Sequence, residues 1–267
     1  MDQATTIDIL SAMKKQEESG YHTKAGQYDD APVDPQCRFL MADWCSKIAD
    51  FCNFSHDTVA IAVHNMDRYV AQRPLVLNDR REFQLVAMTC LYTAVKVNEP
   101  EAIDPKCVSN LSKGVYSKKE IEEAESDIIT ALQWRINPPT AMAFADSYLK
   151  LLPSCPTQVL DIVRAQVHVA VMDSCFLGTS NSCIAMEAVS NALLLVQPSL
   201  HSDYFHIVRE SLDLAQVSPD VEAKLTGVAQ AVCGTGGRPS LVQRRSSKVM
   251  SSATAHVSPC CVTIVQS

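Results

Sequence analysis

The residues best placed to do chemistry in this 267-residue chain are a lysine and a glutamate that interrupt otherwise apolar helical surfaces. From 83 to 97 the chain reads FQLVAMTCLYTAVKV, apolar almost all round apart from Gln84, two threonines and Lys96, the pattern of a central core helix. Lys96 falls near its C-terminal end. The helix dipole favours a cation there by only about 0.3–1 kcal/mol, so an ammonium on such a surface calls for a specific acceptor. Downstream, Ile121, Glu125, Ile128 and Leu132 follow the i, i+4, i+7, i+11 spacing of one helical face, which sets Glu125 on an apolar stripe. Glu122 and Glu123 point elsewhere and read as solvated charges. Two readings stay open at this level: Lys96 and Glu125 neutralise each other within the protein, or they offer hydrogen bonds to a partner.

No catalytic constellation accompanies them. Only eight glycines occur, and GTGG at 234 to 237 precedes neither a GK[ST] nor a helix, so no loop that would cradle phosphates is expected. The seven histidines include no HExxH; His201 and His206 form a loose pair without further ligands, and neither metal nor cofactor is expected. Cysteine and serine nucleophiles lack a neighbouring base. The expectation is a non-catalytic protein.

Composition narrows the partners. A net charge of −7 provides no basic face for nucleic acid. No apolar run approaches the roughly 20 residues of a membrane span, and the opening MDQATTIDIL lacks the basic and apolar regions of a signal peptide. Eleven cysteines, an odd number with no CxxC, fit reduced thiols, with Cys45, Cys90, Cys175 and Cys183 as small core residues. Cys260 and Cys261 stand too far from the terminus for a prenylation signal. The expected compartments are the nucleus and cytoplasm, with no membrane or nucleic-acid partner.

The elements that must position Lys96 and Glu125 are all helical. A short amphipathic helix over 6 to 18 carries Ile9, Leu10 and Met13, and a turn-rich link runs to Pro35. Leu40, Trp44, Ile48 and Phe51 mark the next helix, and Val59, Val63, Met66 and Val70 another, ended by Pro74. The helix bearing Lys96 follows, then a short one from about Pro105 to Leu111. The helix bearing Glu125 comes next, capped by Ser117 with Glu120 in capping-box position. From Thr140 the helical pattern starts again, with Phe144 and Tyr148, then Leu160, Val163, Val167 and Val171. A small-residue helix spans about 182 to 197, and two more fill 201 to 216 and 219 to 232. The predicted fold is all-α: an N-terminal helix and link over 1–36, two tandem helical bundles over 37–138 and 139–233, and a disordered tail over 234–267.

The run from Arg38 to Trp134 resembles a cyclin box, the five-helix module by which cyclins bind and activate a cyclin-dependent protein kinase. The match rests on CRFLMADW at 37 to 44, HNMDRYV at 64 to 70, FQLVAMTCLYTAVKVNEP at 83 to 100, YSKKEIEEAESDIITALQW at 116 to 134 and PPT at 138 to 140. The second bundle resembles the cyclin C-terminal fold more loosely, through helix order and the small-residue helix at 182 to 197, without a signature motif. The resemblance implies a heterodimer with such a kinase. Lys96 and Glu125 would hydrogen-bond near its movable αC helix, and Glu99 would lie close to it, with an exposed capping role as the other reading of Glu99.

The resemblance further implies a shallow groove for Arg-x-Leu docking peptides of substrates or inhibitors, formed by Leu40, Met41, Trp44, Phe83 and Gln84. Two departures bear on it: Cys37 replaces a usual methionine, and Lys47 replaces an acidic residue that would attract the peptide's arginine. Arg38, Asp43, Asp67 and Arg68 are expected to form structural ion pairs tying two helices together. In the tail, Ser246 and Ser247 follow Arg244 and Arg245 and are candidates for phosphorylation. The alternative function on the same fold is an adaptor of transcription-factor or pocket-protein type that activates no kinase.

Overall fold

In the computed structural model, residues 3–101, 103–152, 155–201, 208, 212 and 215–234 are described. All regular elements among them are helices. They are α1 (Gln3–Glu18), α2 (Pro35–Cys52), α3 (His56–Gln72), α4 (Arg80–Asn98), α5 (Pro105–Leu111), α6 (Lys118–Ala131), α7 (Ala141–Leu149), α8 (Thr157–Met172), α9 (Asn181–Val196) and α10 (Pro219–Gly234), with 3-10 turns at Pro74–Asn78 and Ser174–Phe176. The chain divides into two compact units. The N-terminal bundle comprises Gly20–Pro138 and Val171–Gly178, while α1, Pro139–Ala170 and the described residues from Thr179 onward form the C-terminal bundle.

In the N-terminal bundle, α4 is the central element. Its residues from Phe83 to Val95 are buried on every side except at Leu85, and it packs against α2, α3, α5 and α6. A helix can be surrounded in this way only if nearly all its side chains are apolar or small, which is what the sequence between 83 and 95 supplies. Each of these helices, α4 included, is started by a side-chain cap. Asp34 accepts from the Cys37 N–H, Ser55 from Asp57, Asp79 from Arg81 and Asp104 from Lys106. At α6 the full capping box forms, Ser117 and Glu120 each bonding the other's backbone.

Two features differ from the sequence reading. The face of α2 is turned: Leu40 and Phe51 point to solvent, and the core is filled by Cys37, Met41, Trp44, Cys45 and Ile48. The link of 20 to 34 is a packed strap, with Tyr21, Tyr28 and Val33 buried in the N-terminal bundle. It is pinned by the Val33 N–H to the Leu77 carbonyl at 3.0 Å and by the Gly178 N–H to Thr23 Oγ1 at 3.0 Å. Gly178 has φ +84 and stands where a Cβ would come within 3.0 Å of Ala25 Cβ, so both its backbone angle and its close approach call for glycine.

The strap and the helices meet at one buried ion pair. Arg38 donates through Nε and Nη2 to the two oxygens of Asp67 at 2.9 and 2.8 Å, and through Nη1 to the Met172 carbonyl at 2.9 Å. The Tyr28 hydroxyl donates to the same carboxylate at 2.8 Å. Of the four residues expected to pair, only these two bond each other across α2 and α3. Asp43 instead meets Lys47 one turn on at the surface, 2.6 Å away, because residues four apart on a helix are neighbours. Arg68 turns to the carbonyl of Arg135 and the side chain of Asn65.

In the C-terminal bundle α9 packs against α7 and α10, and α1 against α7. The buried Glu17 carboxylate of α1 accepts from the Ser182 backbone N–H at 3.2 Å and from its hydroxyl at 2.6 Å, serving the free donors of the first turn of α9. A polar chain crosses the same bundle, with Gln166 donating to the Ala188 carbonyl at 2.9 Å and accepting from Asn191 at 3.1 Å. His201 meets Ser190 at 2.9 Å, while His206 and most of 201 to 216 lie outside the described residues, as do 235 to 267, including Ser246 and Ser247. Gly234 is the last residue of α10 and not part of the tail.

Candidate kinase-binding face

The register of α4 against α6 is fixed at their N-terminal ends. Arg81 Nη2 donates to Glu120 Oε1 at 2.9 Å and to the Val115 carbonyl at 3.1 Å. The Tyr116 hydroxyl lies 2.8 Å from the Arg81 carbonyl and 3.1 Å from Gln84 Oε1. The Ser117 backbone N–H, then Arg81, pull the Glu120 carboxyl down to about 2, so this junction stays charged at neutral pH.

With that register set, Lys96 near the end of α4 reaches Glu125 in the middle of α6. Lys96 Nζ donates to both carboxylate oxygens, at 2.9 and 3.0 Å. The Thr93 hydroxyl lies 3.3 Å from Glu125 Oε1, and the ammonium sits 5.0 Å from the centre of the Tyr92 ring. Burial of its stem works against the charge on Lys96, but the hydrogen bond and charge of Glu125 outweigh it and raise the ammonium pKa. The side chains are 40% and 13% exposed, so the pair forms the rim of the bundle and not its core. In the free chain the internal pairing weighed at the outset is therefore real. The Tyr92 hydroxyl adds a further hydrogen bond to Lys96, so the pair stands in a small polar cluster with Thr93 and Tyr92.

Beside this rim Val97, next to Lys96, is 50% exposed; Trp134, just past the end of α6, is 77% exposed. Trp134 follows Gln133, and both have left-handed backbones, φ 62° and 54°, with the Trp134 N–H returned to the Ile129 carbonyl at 3.0 Å. Sequence reasoning passed over Trp134, although a lone tryptophan at the close of an amphipathic helix was the available signal. Glu99 is the C-cap of α4, and its carboxylate accepts from the Ser55 backbone N–H at 2.9 Å and from the Thr58 hydroxyl. It ties the end of α4 to the start of α3, so the capping role is the one seen.

The five residues assigned to a docking groove are not displayed together. Met41, Trp44, Phe83 and Gln84 are buried, Gln84 being engaged by Tyr116, and only Leu40 faces solvent. The large side chains at these positions serve the α2–α4 interface, which corrects the expectation of an open groove. Among the described residues no cluster of three or more metal-ligating side chains occurs, and no helix is long and apolar enough to cross a membrane.

Known proteins resemble this geometry and this sequence in the same region. Residues 8–137 match the cyclin N-terminal domain. Cyclin-A1-2 of Arabidopsis thaliana is 24% identical over 173 residues, covering 62% of this chain and 38% of that protein. Cyclin-B1-5 of rice, Oryza sativa subsp. japonica, is 29% identical over 118 residues, covering 44% and 26%. The chain thus matches well under half the length of these curated relatives. Among solved structures, a viral cyclin from herpesvirus saimiri superposes with a TM-score of 0.63 at 14% identity, covering 83% of this chain and 96% of that one. A chain of the CAK complex of Chaetomium thermophilum bound to ATP-γ-S gives 0.50 at 13% identity, covering 91% and 83%. Residues 8–137 thus carry a match to the cyclin N-terminal domain, within an all-helical fold similar to that of the viral cyclin.

Proposed function

We propose that this chain is a cyclin, a non-catalytic regulatory subunit that binds and activates a cyclin-dependent serine/threonine kinase in cell-cycle control, acting in the nucleus and cytoplasm. The observation that carries the reading is the Lys96–Glu125 pair, held across α4 and α6 at the partly exposed rim beside exposed Val97. A protein kinase needs its β3 lysine paired with a glutamate on αC before ATP is correctly held, and αC can swing away in the isolated subunit. In this mechanism α4 and α6 give αC an apolar seat, and Lys96 and Glu125 fix its rotation. Binding draws the kinase toward its active conformer. Relatives named as cyclins of A and B type, and a G2/mitotic-specific cyclin of Medicago sativa 25% identical over 143 residues, support the cell-cycle part of the reading.

The test is phosphorylation of histone and pocket-protein peptides by a panel of purified cyclin-dependent kinases, with and without the chain. Activation of at least one kinase by the wild type and not by Lys96→Ala is the expected result. Absence of binding and activation across the panel moves the assignment to an adaptor without kinase activity.

A further inference from the structure

Tyr92 stands one turn before Lys96 on α4, and residues so spaced on a helix are neighbours on one face. The residue is only 4% exposed, and a tyrosine hydroxyl that has left water calls for a polar partner. It finds the Lys96 ammonium, whose nitrogen lies 5.0 Å from the ring centre and hydrogen-bonds the hydroxyl. An ammonium donates three hydrogens and accepts none. Two go to Glu125 Oε1 and Oε2, at 2.9 and 3.0 Å, and the third to the Tyr92 oxygen. On the other side of the pair, the Thr93 hydroxyl lies 3.3 Å from Glu125 Oε1 and is itself held 3.0 Å from the Thr89 carbonyl of the same helix.

This arrangement does more than neutralise a charge. A lysine carries its ammonium on a flexible four-carbon stem, and a stem left free at the rim loses that freedom whenever a partner fixes it. An ammonium held by Glu125 alone moves with that carboxylate. The third bond, to a buried ring, ties it to α4 itself, the element most firmly set in the core. We propose that Tyr92 is a positioning residue for the kinase contact: its hydroxyl fixes the Lys96 ammonium on α4 before a kinase arrives, so that αC meets a preset charge instead of ordering a loose one. The ordering cost then falls on folding and not on binding, which is the general advantage of preorganisation. The proposal rests on the kinase reading above and adds to it a residue that acts through Lys96.

The experiment is calorimetric titration of the full chain with the cyclin-dependent kinases of the panel, for wild type, Tyr92→Phe, Lys96→Ala and the double variant. Phenylalanine keeps the ring and removes only the hydroxyl, and thermal melting followed by circular dichroism checks that the fold is kept. Tyr92→Phe should bind about three- to ten-fold more weakly than wild type, the range that one net hydrogen bond supplies. Placed on Lys96→Ala, the same change should cost nothing further, because its effect runs through the ammonium; a residue that merely packed α4 would cost the same in both backgrounds. In the free chain, the Lys96 ammonium protons, followed by NMR, should exchange with water faster in Tyr92→Phe than in wild type. Wild-type binding that Lys96→Ala weakens and Tyr92→Phe leaves unchanged overturns the proposal and leaves the kinase reading standing. Equal losses with and without Lys96, or unchanged ammonium exchange, overturn it as well. No binding by the wild type across the panel overturns both.

Discussion

Replacing Arg38 by alanine should cost the N-terminal bundle about 3–5 kcal/mol, the usual consequence of leaving one charge of a buried pair alone. The magnitude follows from the site. Asp67 is buried and accepts three hydrogen bonds, two from the guanidinium and one from Tyr28. Without Arg38 the carboxylate keeps only the Tyr28 hydroxyl, and the Met172 carbonyl loses its donor. Both tryptophans of the chain, Trp44 and Trp134, belong to the N-terminal bundle, and Trp44 is buried, so urea unfolding followed by tryptophan fluorescence reports this unit. With a slope of about 2 kcal/mol/M the midpoint should fall by about 1.5–2.5 M. The companion variant Arg38→Met/Asp67→Leu/Tyr28→Phe removes the three polar side chains of the network at once and should recover most of the loss, because an apolar replacement of a buried ion-pair network is often neutral. A single variant that loses less than about 1 kcal/mol, or a triple variant as damaged as the single, would refute the reasoning.

Other outcomes follow from the same geometry. His64, whose Nε2 lies 2.9 Å from the Tyr21 carbonyl, is held to a pKa of about 4 by loss of hydration and the nearby Arg68 guanidinium. The unfolded chain therefore binds more protons between about pH 6.5 and 4, and stability should fall by about 3 kcal/mol as pH drops through that window. Midpoints of urea unfolding at pH 7 and 4.5, compared with those of His64→Leu, check the slope. Ser117→Ala should remove the capping box of α6 and cost about 0.5–2 kcal/mol by thermal melting. Lys96→Ala should leave stability within about 1 kcal/mol of wild type, since its ion pair is open to solvent, while the proposed mechanism expects it to lose kinase activation.

How much could be read from the sequence depended on whether a residue's role left a periodic trace. The position of α4 was legible because apolar residues occupy its whole circumference, and α6 because its stripe and Ser117–Glu120 cap are both regular. The strap was not legible as packed structure, since Tyr21, Tyr28 and Val33 are isolated anchors in a segment without period. Phe51 continued the i, i+4 run of α2 yet faces water, because spacing alone does not say which side of a helix is covered. At the functional face the sequence marked Lys96 and Glu125 as out of place. Pairing across 29 residues of chain and the exposure of Val97 and Trp134 needed three dimensions.

The most direct test of the central claim is the affinity of this chain for the cyclin-dependent kinases of the panel, measured by calorimetry for wild type, Glu125→Ala and the exposed control Lys118→Ala on the same helix. The account predicts a loss of about 2–5 kcal/mol for Glu125→Ala, roughly 30-fold to several-thousand-fold, with the control unchanged. Equal affinities for all three would show that the pair serves only the fold and that the kinase is held elsewhere.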